Sequence, residues 1–311
     1  MITAIVPVFN GCEHLRRLLD SLEAQTLPAE QILVIDNASS DGAPELARER
    51  GAQVIPMGCN SGFAPAVNRG IREARAEWLA ILNSDVELAP DYLEKLAASG
   101  AAFATGKILS PRGTLDATFD LTSRAGTTWR AGAGMEDAPP FDRPCDIVSP
   151  PFTAVLVRAE VFQHAGLLEE RFESYLEDAE FGLRCARLGI HGRYVPDARA
   201  IHVGSATLGR WHADTVRHIA RNQLLLAARH LPARCWWPVL VGQLLWGGVA
   251  FRHGRGFAWV RGAWAGLRGF AFAPAVRDEL DAVLESNERL IRTISHDSYW
   301  RLYFLLSRGA K

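Results

Sequence analysis

Up to about residue 110 the chain alternates short apolar runs with stretches whose apolar residues recur every three or four positions. "AIVPVF" (4–9) reads as a buried strand, and Leu15, Leu18, Leu19 and Leu22 then share one helix face. "QILVID" (31–36), "AQVIPM" (52–57) and "EWLAILNSD" (77–85) read as further strands, with helices near 43–50, 63–75 and 90–99. Strands and helices in strict alternation imply βαβ units, hence a mostly parallel central sheet flanked by helices. Ligands of such sheets lie beyond the C-terminal strand ends. That places Asp36 and Asp85, which follow the second and fourth runs, where chemistry is expected.

Residues 110–150 are rich in Gly, Pro, Thr and Arg with weak periodicity, and read as an irregular lid or rim. "TAVLVR" (153–158) restarts regular structure as a strand, and "GRYVP" and "ARAIHVG" read as two short strands. Between them lies "YLEDAEFGLRCARLGI" (175–190), where Leu176, Ala179, Leu183, Ala186 and Ile190 mark one helix face. Glu177, Asp178 and Glu180 crowd its first turn, where acids sit well against the helix dipole or can serve as functional carboxylates. Past about 208 the pattern is helical, through "HIARNQLLLAARHL", a Trp-rich run and a charged helix at 277–294. The expected domains are therefore 1–207, divided at about residue 110, and a helical region at 208–311.

Composition narrows the function. A net charge of −1 gives no basic excess for nucleic acid. Cys12, Cys59, Cys145, Cys185 and Cys235 are scattered and odd in number, so neither a disulfide framework nor a zinc site is indicated, and a reducing cytoplasmic location is expected. No signal peptide is read at "MITAIVPVFNG". The run at 236–251 is shorter than the roughly 20 residues that span a bilayer and contains Pro238 and three glycines, so no crossing is expected. Segment 229–270 mixes Trp with Arg and His and has almost no acids, a composition suited either to a membrane interface or to packing on the protein.

The strand-end polar residues carry the chemistry. Asp36, in "VIDNASSDG", can accept from a base or ribose, or close a local Asx-turn. Asn83 and Asp85 share one direction at spacing two, and one strand-end Asp plus substrate phosphates can hold Mg²⁺ or Mn²⁺; a strand-terminating turn is the other reading. His202 could add a nitrogen ligand or be a bonded core histidine. No G-x-x-x-x-G-K-[ST] occurs, and no G-x-G-x-x-G follows the first strand.

Taken in order, "IVPVFN", "VIDNASSDG", "NSGFAPAVNRGI", "LAILNSDVEL" and "YLEDAEFGLRCARLGI…YVPDARAIHVGS" resemble the family 2 glycosyltransferases of GT-A fold, in particular their bacterial rhamnosyltransferase-like branch, over roughly residues 2–230. The resemblance implies Pro7, Val8 and Phe9 at the nucleoside, Asp36 on base or ribose, Asn60, Asn68 and Arg69 around the nucleotide and diphosphate, and Asn83 and Ser84 beside them. It implies Asp85 and His202 as ligands of Mg²⁺ or Mn²⁺, and Asp178 as the base on the acceptor hydroxyl with Glu177 positioning it; Glu180 is left without a defined role. Asn83 departs from the family's D-x-D element, which puts a second metal carboxylate in doubt.

The implied activity is inverting transfer of a sugar, a deoxyhexose such as rhamnose, from a nucleotide donor to a glycan or lipid-linked acceptor for the cell envelope. The enzyme is expected at the inner face of the cytoplasmic membrane, with homo-oligomers left open. A non-catalytic nucleotide-sugar or glycan binder and a sugar nucleotidylyltransferase are the rivals; the latter needs a Gly-rich basic loop that "VPVFNGCEHLRR" does not offer.

Overall fold

The structure is a computed structural model and describes residues 1–203, 211–268, 270–273 and 278–307. The expected boundary at 207–208, the Gly204 end of "ARAIHVG" and the Arg277 start of the last charged helix lie outside the described residues.

The first half follows the strand and helix alternation. In order come β1 (Ile2–Val8), α1 (Cys12–Glu23), β2 (Gln31–Asp36), α2 (Ala43–Glu49), β3 (Gln53–Pro56), α3 (Phe63–Glu73), β4 (Trp78–Leu82), β5 (Val86–Leu88), α4 (Tyr92–Ala98) and β6 (Phe103–Leu109). β1 is buried along its whole length, as a central parallel strand covered on both faces must be. α1 packs Leu15, Leu18, Leu19 and Leu22 onto one face of the sheet. α3 lies over the other face, and the Cβ of any residue replacing Gly70 would come within 2.4 Å of Ile5.

The second half is more varied. It runs β7 (Leu115–Ala117), β8 (Asp120–Thr122), β9 (Thr128–Arg130), β10 (Cys145–Ile147), β11 (Ala154–Arg158), α5 (Ala159–Ala165), α6 (Glu177–Arg187) and β12 (Gly192–His202). The helices α7 (Ala213–His230), α8 (Trp236–Arg252), α9 (Gly256–Leu267), α10 (Asp278–Ile294) and α11 (Ser298–Leu306) follow. The main sheet has the order β10-β12-β6-β11-β4-β1-β2-β3, with β5 paired to β12 and β7 to β6. Its β3-β2-β1-β4 portion is parallel, while β11 is inserted antiparallel between β4 and β6.

Two expectations are corrected here. "GRYVP" and "ARAIHVG" form one strand, β12, whose burial alternates residue by residue and whose register shifts between Val195 and Arg199, where Pro196 needs no ladder hydrogen bond. The region 110–150 is not irregular: it holds four short strands, among them the β8–β9 hairpin turning at Gly126. None of the five cysteines is paired.

Candidate active site

A cavity of about 530 Å³ opens beyond the C-terminal ends of β1 and β4. Pro7, Val8, Phe9, Asn37, Asn60, Asn83, Ser84 and Asp85 line it on the sheet side, and Ser174 to Asp178 on the α6 side. Parallel pairing sets Val8 beside Asp36, and the Asn37 amide donates to the Val8 carbonyl (2.8 Å), so the exits of β1 and β2 are fixed side by side.

Asp85 and His202 meet at the cavity. The antiparallel β5–β12 ladder aligns Val86 with His202, and the His202 Nε2 lies 3.1 Å from Asp85 Oδ1. The other ring nitrogen, Nδ1, lies 2.8 Å from Asp116 Oδ2. Burial pushes the Asp85 carboxyl up, but the hydrogen bond and charge of His202 outweigh it and leave the pKa below the usual range. Burial pulls His202 down, yet Asp116 and Asp85 together raise it to about 9. A carboxylate oxygen and a ring nitrogen facing one cavity, with the ring's far nitrogen fixed by a second carboxylate, fit a divalent cation completed by substrate oxygens. To bind one, His202 would give up its Nε2 proton. Among the described residues no three His, Cys, Asp or Glu side chains gather into a fuller metal cage.

Facing this pair is a group of three carboxyls. Asp178 Oδ1 accepts from its neighbour Ala179 N–H (2.8 Å), and Oδ2 accepts a longer bond from Phe152 N–H (3.4 Å). Asp120, from the β8–β9 hairpin, is buried, and its pKa stands well above normal because of burial first and then the charge of Asp178. Glu177 is raised well above normal for the same two reasons in the same order, and its Oε2 is buried without a partner. Arg130 Nε, 3.9 Å from Asp120 Oδ1, supplies partial counter-charge. Burial first, and then the crowding of carboxyls, pushes Asp120 and Glu177 toward their neutral forms.

Other expected site residues are placed elsewhere. Asp36 is buried, and its Oδ1 accepts from Ser39 N–H (2.9 Å), the Asx-turn arrangement; it is Asn37 that lines the cavity. Asn68 is buried on α3 with its amide committed to the Leu168 backbone and Glu170, and Arg69 pairs with Glu73; neither reaches the cavity wall. Glu180 is also off the wall, bound to Arg184, Arg229 and His230.

Sequence reasoning missed Asp120 and Arg130, along with Thr127 and Thr128 on the same hairpin. Polar and apolar alternation in "TFDLT" and "TTWR" around a Ser-Arg-Ala-Gly turn was the available signal. It also missed the helical region's share of the site, since Ile219 and Gln223 of α7 and Trp246 of α8 close one wall.

Solved structures with this architecture include GalNAc-T7 with UDP, GalNAc and Mn²⁺ (TM-score 0.62, 14% identity, 88% of this chain and 58% of that one). A second is the mannosyltransferase PcManGT from Pyrobaculum calidifontis with GDP-Man and Mn²⁺ (TM-score 0.53, 16% identity, 98% and 86%). The architecture is thus the GT-A fold. The sequence matches the family described as "Glycosyl transferase family 2" over residues 3–122 and "Glycosyl transferase family group 2" over residues 78–276. It is 27% identical over 292 residues to the N-acetylglucosaminyl-diphospho-decaprenol L-rhamnosyltransferase of Mycobacterium tuberculosis, covering 81% of this chain and 92% of that protein. It is 31% identical over 244 residues to the succinoglycan biosynthesis protein ExoO of Rhizobium meliloti, covering 75% and 65%. The chain belongs to glycosyltransferase family 2.

Proposed function

We propose that the chain is an inverting, divalent-cation-dependent glycosyltransferase. It moves a deoxyhexose, with dTDP-rhamnose as first donor, to a hydroxyl of a lipid-linked glycan in cell-envelope polysaccharide synthesis. One observation carries this reading: the Asp85–His202 pair and the Glu177–Asp178 pair line the same cavity. A donor diphosphate at the strand ends would leave its anomeric carbon facing the start of α6. Support for the sugar and acceptor comes from the mycobacterial relative, whose name specifies rhamnosyl transfer to N-acetylglucosaminyl-diphospho-decaprenol.

In this mechanism Asp178 takes the proton of the acceptor hydroxyl as its oxygen attacks the anomeric carbon, and the bond to the diphosphate oxygen breaks on the opposite face with its electron pair leaving. Asp120, pushed toward its neutral form by burial and by Asp178, would donate to Asp178 and hold it. Glu177, pushed toward its neutral form by burial and then by Asp178, would add little negative charge to repel the acceptor oxygen as it loses its proton. A cation held by Asp85 and His202, Mn²⁺ being favoured over Mg²⁺ by the nitrogen ligand, would neutralise charge growing on the leaving diphosphate. Asp178→Asn should lower transfer from dTDP-rhamnose by at least about 100-fold while nucleotide affinity changes less than about twofold. Near-normal turnover would remove Asp178 from the role of base.

The same reading places the enzyme at a membrane surface. Among the described residues no helix is long and apolar enough to cross a membrane. α9, however, presents Phe257 (88% exposed), Val260, Trp264 and Leu267 on one exposed stripe, with Arg261 and Arg268 beside it. Its opposite side packs on α7 through Gly262 and Gly266, where any Cβ would meet the Arg217 and Arg221 carbonyls within 3 Å. No Asp or Glu occurs between Leu231 and Ala273, whereas Arg234, Arg252, Arg255, Arg261 and Arg268 do. An exposed aromatic stripe flanked by arginines suits an anionic headgroup layer.

A further inference from the structure

The four residues before the acidic pair have an unusual backbone. Glu173 (φ 59°, ψ −72°) is the centre of a γ-turn in which Ser174 N–H donates to the Phe172 carbonyl (2.7 Å). Tyr175 (φ 74°) and Leu176 (φ 69°) follow in the left-handed region. Three non-glycine residues with positive φ among four are unfavourable for L-amino acids and persist only where neighbours impose them. This segment leads straight into Glu177 and Asp178, and Ser174, Tyr175 and Leu176 line the cavity.

Two elements impose the shape. On one side the start of α3 supplies Ala64 N–H to the Glu173 carbonyl (2.8 Å) and Phe63 N–H to Ser174 Oγ (3.0 Å). Gly62 makes that approach possible, since a Cβ there would lie 2.7 Å from the Glu173 carbonyl oxygen. On the other side stands α7. Asn222 is fully buried, and its Nδ2 is within hydrogen-bond distance of the carbonyls of Phe172 (2.8 Å), Ser174 (2.9 Å) and Tyr175 (2.7 Å). Arg221 Nε donates to Asn222 Oδ1 (2.9 Å), fixing which way the amide faces, while Arg221 also holds the Glu173 carboxylate (2.6 Å).

We propose that Asn222 is a positioning residue for the reaction: by gathering three carbonyls it holds segment 173–176 in its strained path and so sets Glu177 and Asp178 against the acceptor hydroxyl. The inference rests on the proposed role of Asp178, and it makes α7 part of the catalytic machinery rather than an appendage. Asn222 does not line the cavity, so it has no contact with substrate to lose.

The test uses the full chain with dTDP-rhamnose, Mn²⁺ and N-acetylglucosaminyl-diphospho-decaprenol. Asn222→Ala should lower kcat by about 100-fold, the scale of a small misplacement of a reacting group, with donor KM and nucleotide affinity unchanged within about twofold. Asn222→Asp keeps the volume but turns an acceptor toward three carbonyls, and should lose kcat in the same way. Tyr303→Phe, which removes a partly buried hydrogen bond to Glu288 far along the chain, should lower stability and leave kcat intact. A folded Asn222 variant with kcat within twofold of wild type overturns the proposal. Failure of both variants to fold overturns it as well, since Asn222 would then serve folding alone. Absence of transfer by the wild-type chain itself would refute the proposed function instead.

Discussion

Glu180→Gln should destabilise the protein by about 3 kcal/mol at neutral pH, and the loss should shrink as pH falls. The Glu180 side chain has no exposed surface, and it accepts from Arg184 Nε (2.9 Å), Arg229 Nε (3.0 Å) and His230 Nε2 (3.1 Å). Arg184 in turn donates to the Leu167 carbonyl (2.8 Å) and Arg229 pairs with Glu169 (2.7 Å), so this one carboxylate ties α6 to α7 and to the loop after α5. Burial pushes its pKa up, but His230 and the two arginines overcome it and bring it down to about 2 from an ordinary 4.5. A shift of that size corresponds to about 3 kcal/mol. A depressed carboxyl pKa stabilises the fold above the unfolded-state value and stops doing so as pH drops through the folded-state value. The contribution is therefore full at pH 7, lower by about 1 kcal/mol at pH 4, and gone below about pH 2. His230 lies below its usual range, chiefly through burial, and is neutral at pH 7. Urea unfolding of wild type and variant, followed by tryptophan fluorescence, should show midpoints about 1 M apart at pH 7 for a slope near 3 kcal/mol/M. Equal midpoints at pH 7, or a gap that widens on going to pH 4, would refute the reasoning.

Two further outcomes are expected. Asp85→Ala should weaken Mn²⁺-dependent nucleotide binding by at least tenfold in isothermal titration, since it leaves only His202 facing the cation; an unchanged titration would dismiss the pair as a metal site. Phe257→Ser with Trp264→Ser should abolish co-flotation with vesicles containing one third phosphatidylglycerol, while the wild type floats and is released by about 0.5 M salt. Failure of the wild type to float ends the membrane reading.

The parallel half of the sheet was legible because each element is long, strongly patterned and bounded by turn residues, as β1, α1 and β2 are. β12 reads as two strands because Pro196 and Asp197 are turn-forming residue types, and only pairing with β6 on both sides of the bulge shows the continuity. The β8–β9 hairpin was obscured by strands of three residues, too short for periodicity to stand out. Asn68 shows the opposite difficulty. Its motif suggested contact with the nucleotide, but an asparagine on a helix serves equally well as a buried clamp, and its bonds to Leu168, 100 residues away in sequence, cannot be read from spacing. Helical pattern after 208 was visible, whereas nothing in it announced that Asn222 would meet three carbonyls of one strained loop.

The acidic start of α6 illustrates what a local pattern leaves open. A helix N-terminus favours negative charge, and Asp178 Oδ1 does accept from Ala179 N–H there. Yet no side chain caps this helix: its N-cap is Leu176 in the left-handed conformation, imposed from outside. Three acids within four residues meet three fates. Glu180 is locked into a cationic hub, Glu177 is driven toward its neutral form chiefly by burial, and Asp178 accepts from the Ala179 and Phe152 N–H groups at the cavity. A helix dipole acting alone would favour all three carboxylates ionised, so Glu177 departs from that pattern through burial first and then through Asp178, with a smaller push from Asp120, a residue 58 positions before Asp178 that the hairpin brings in.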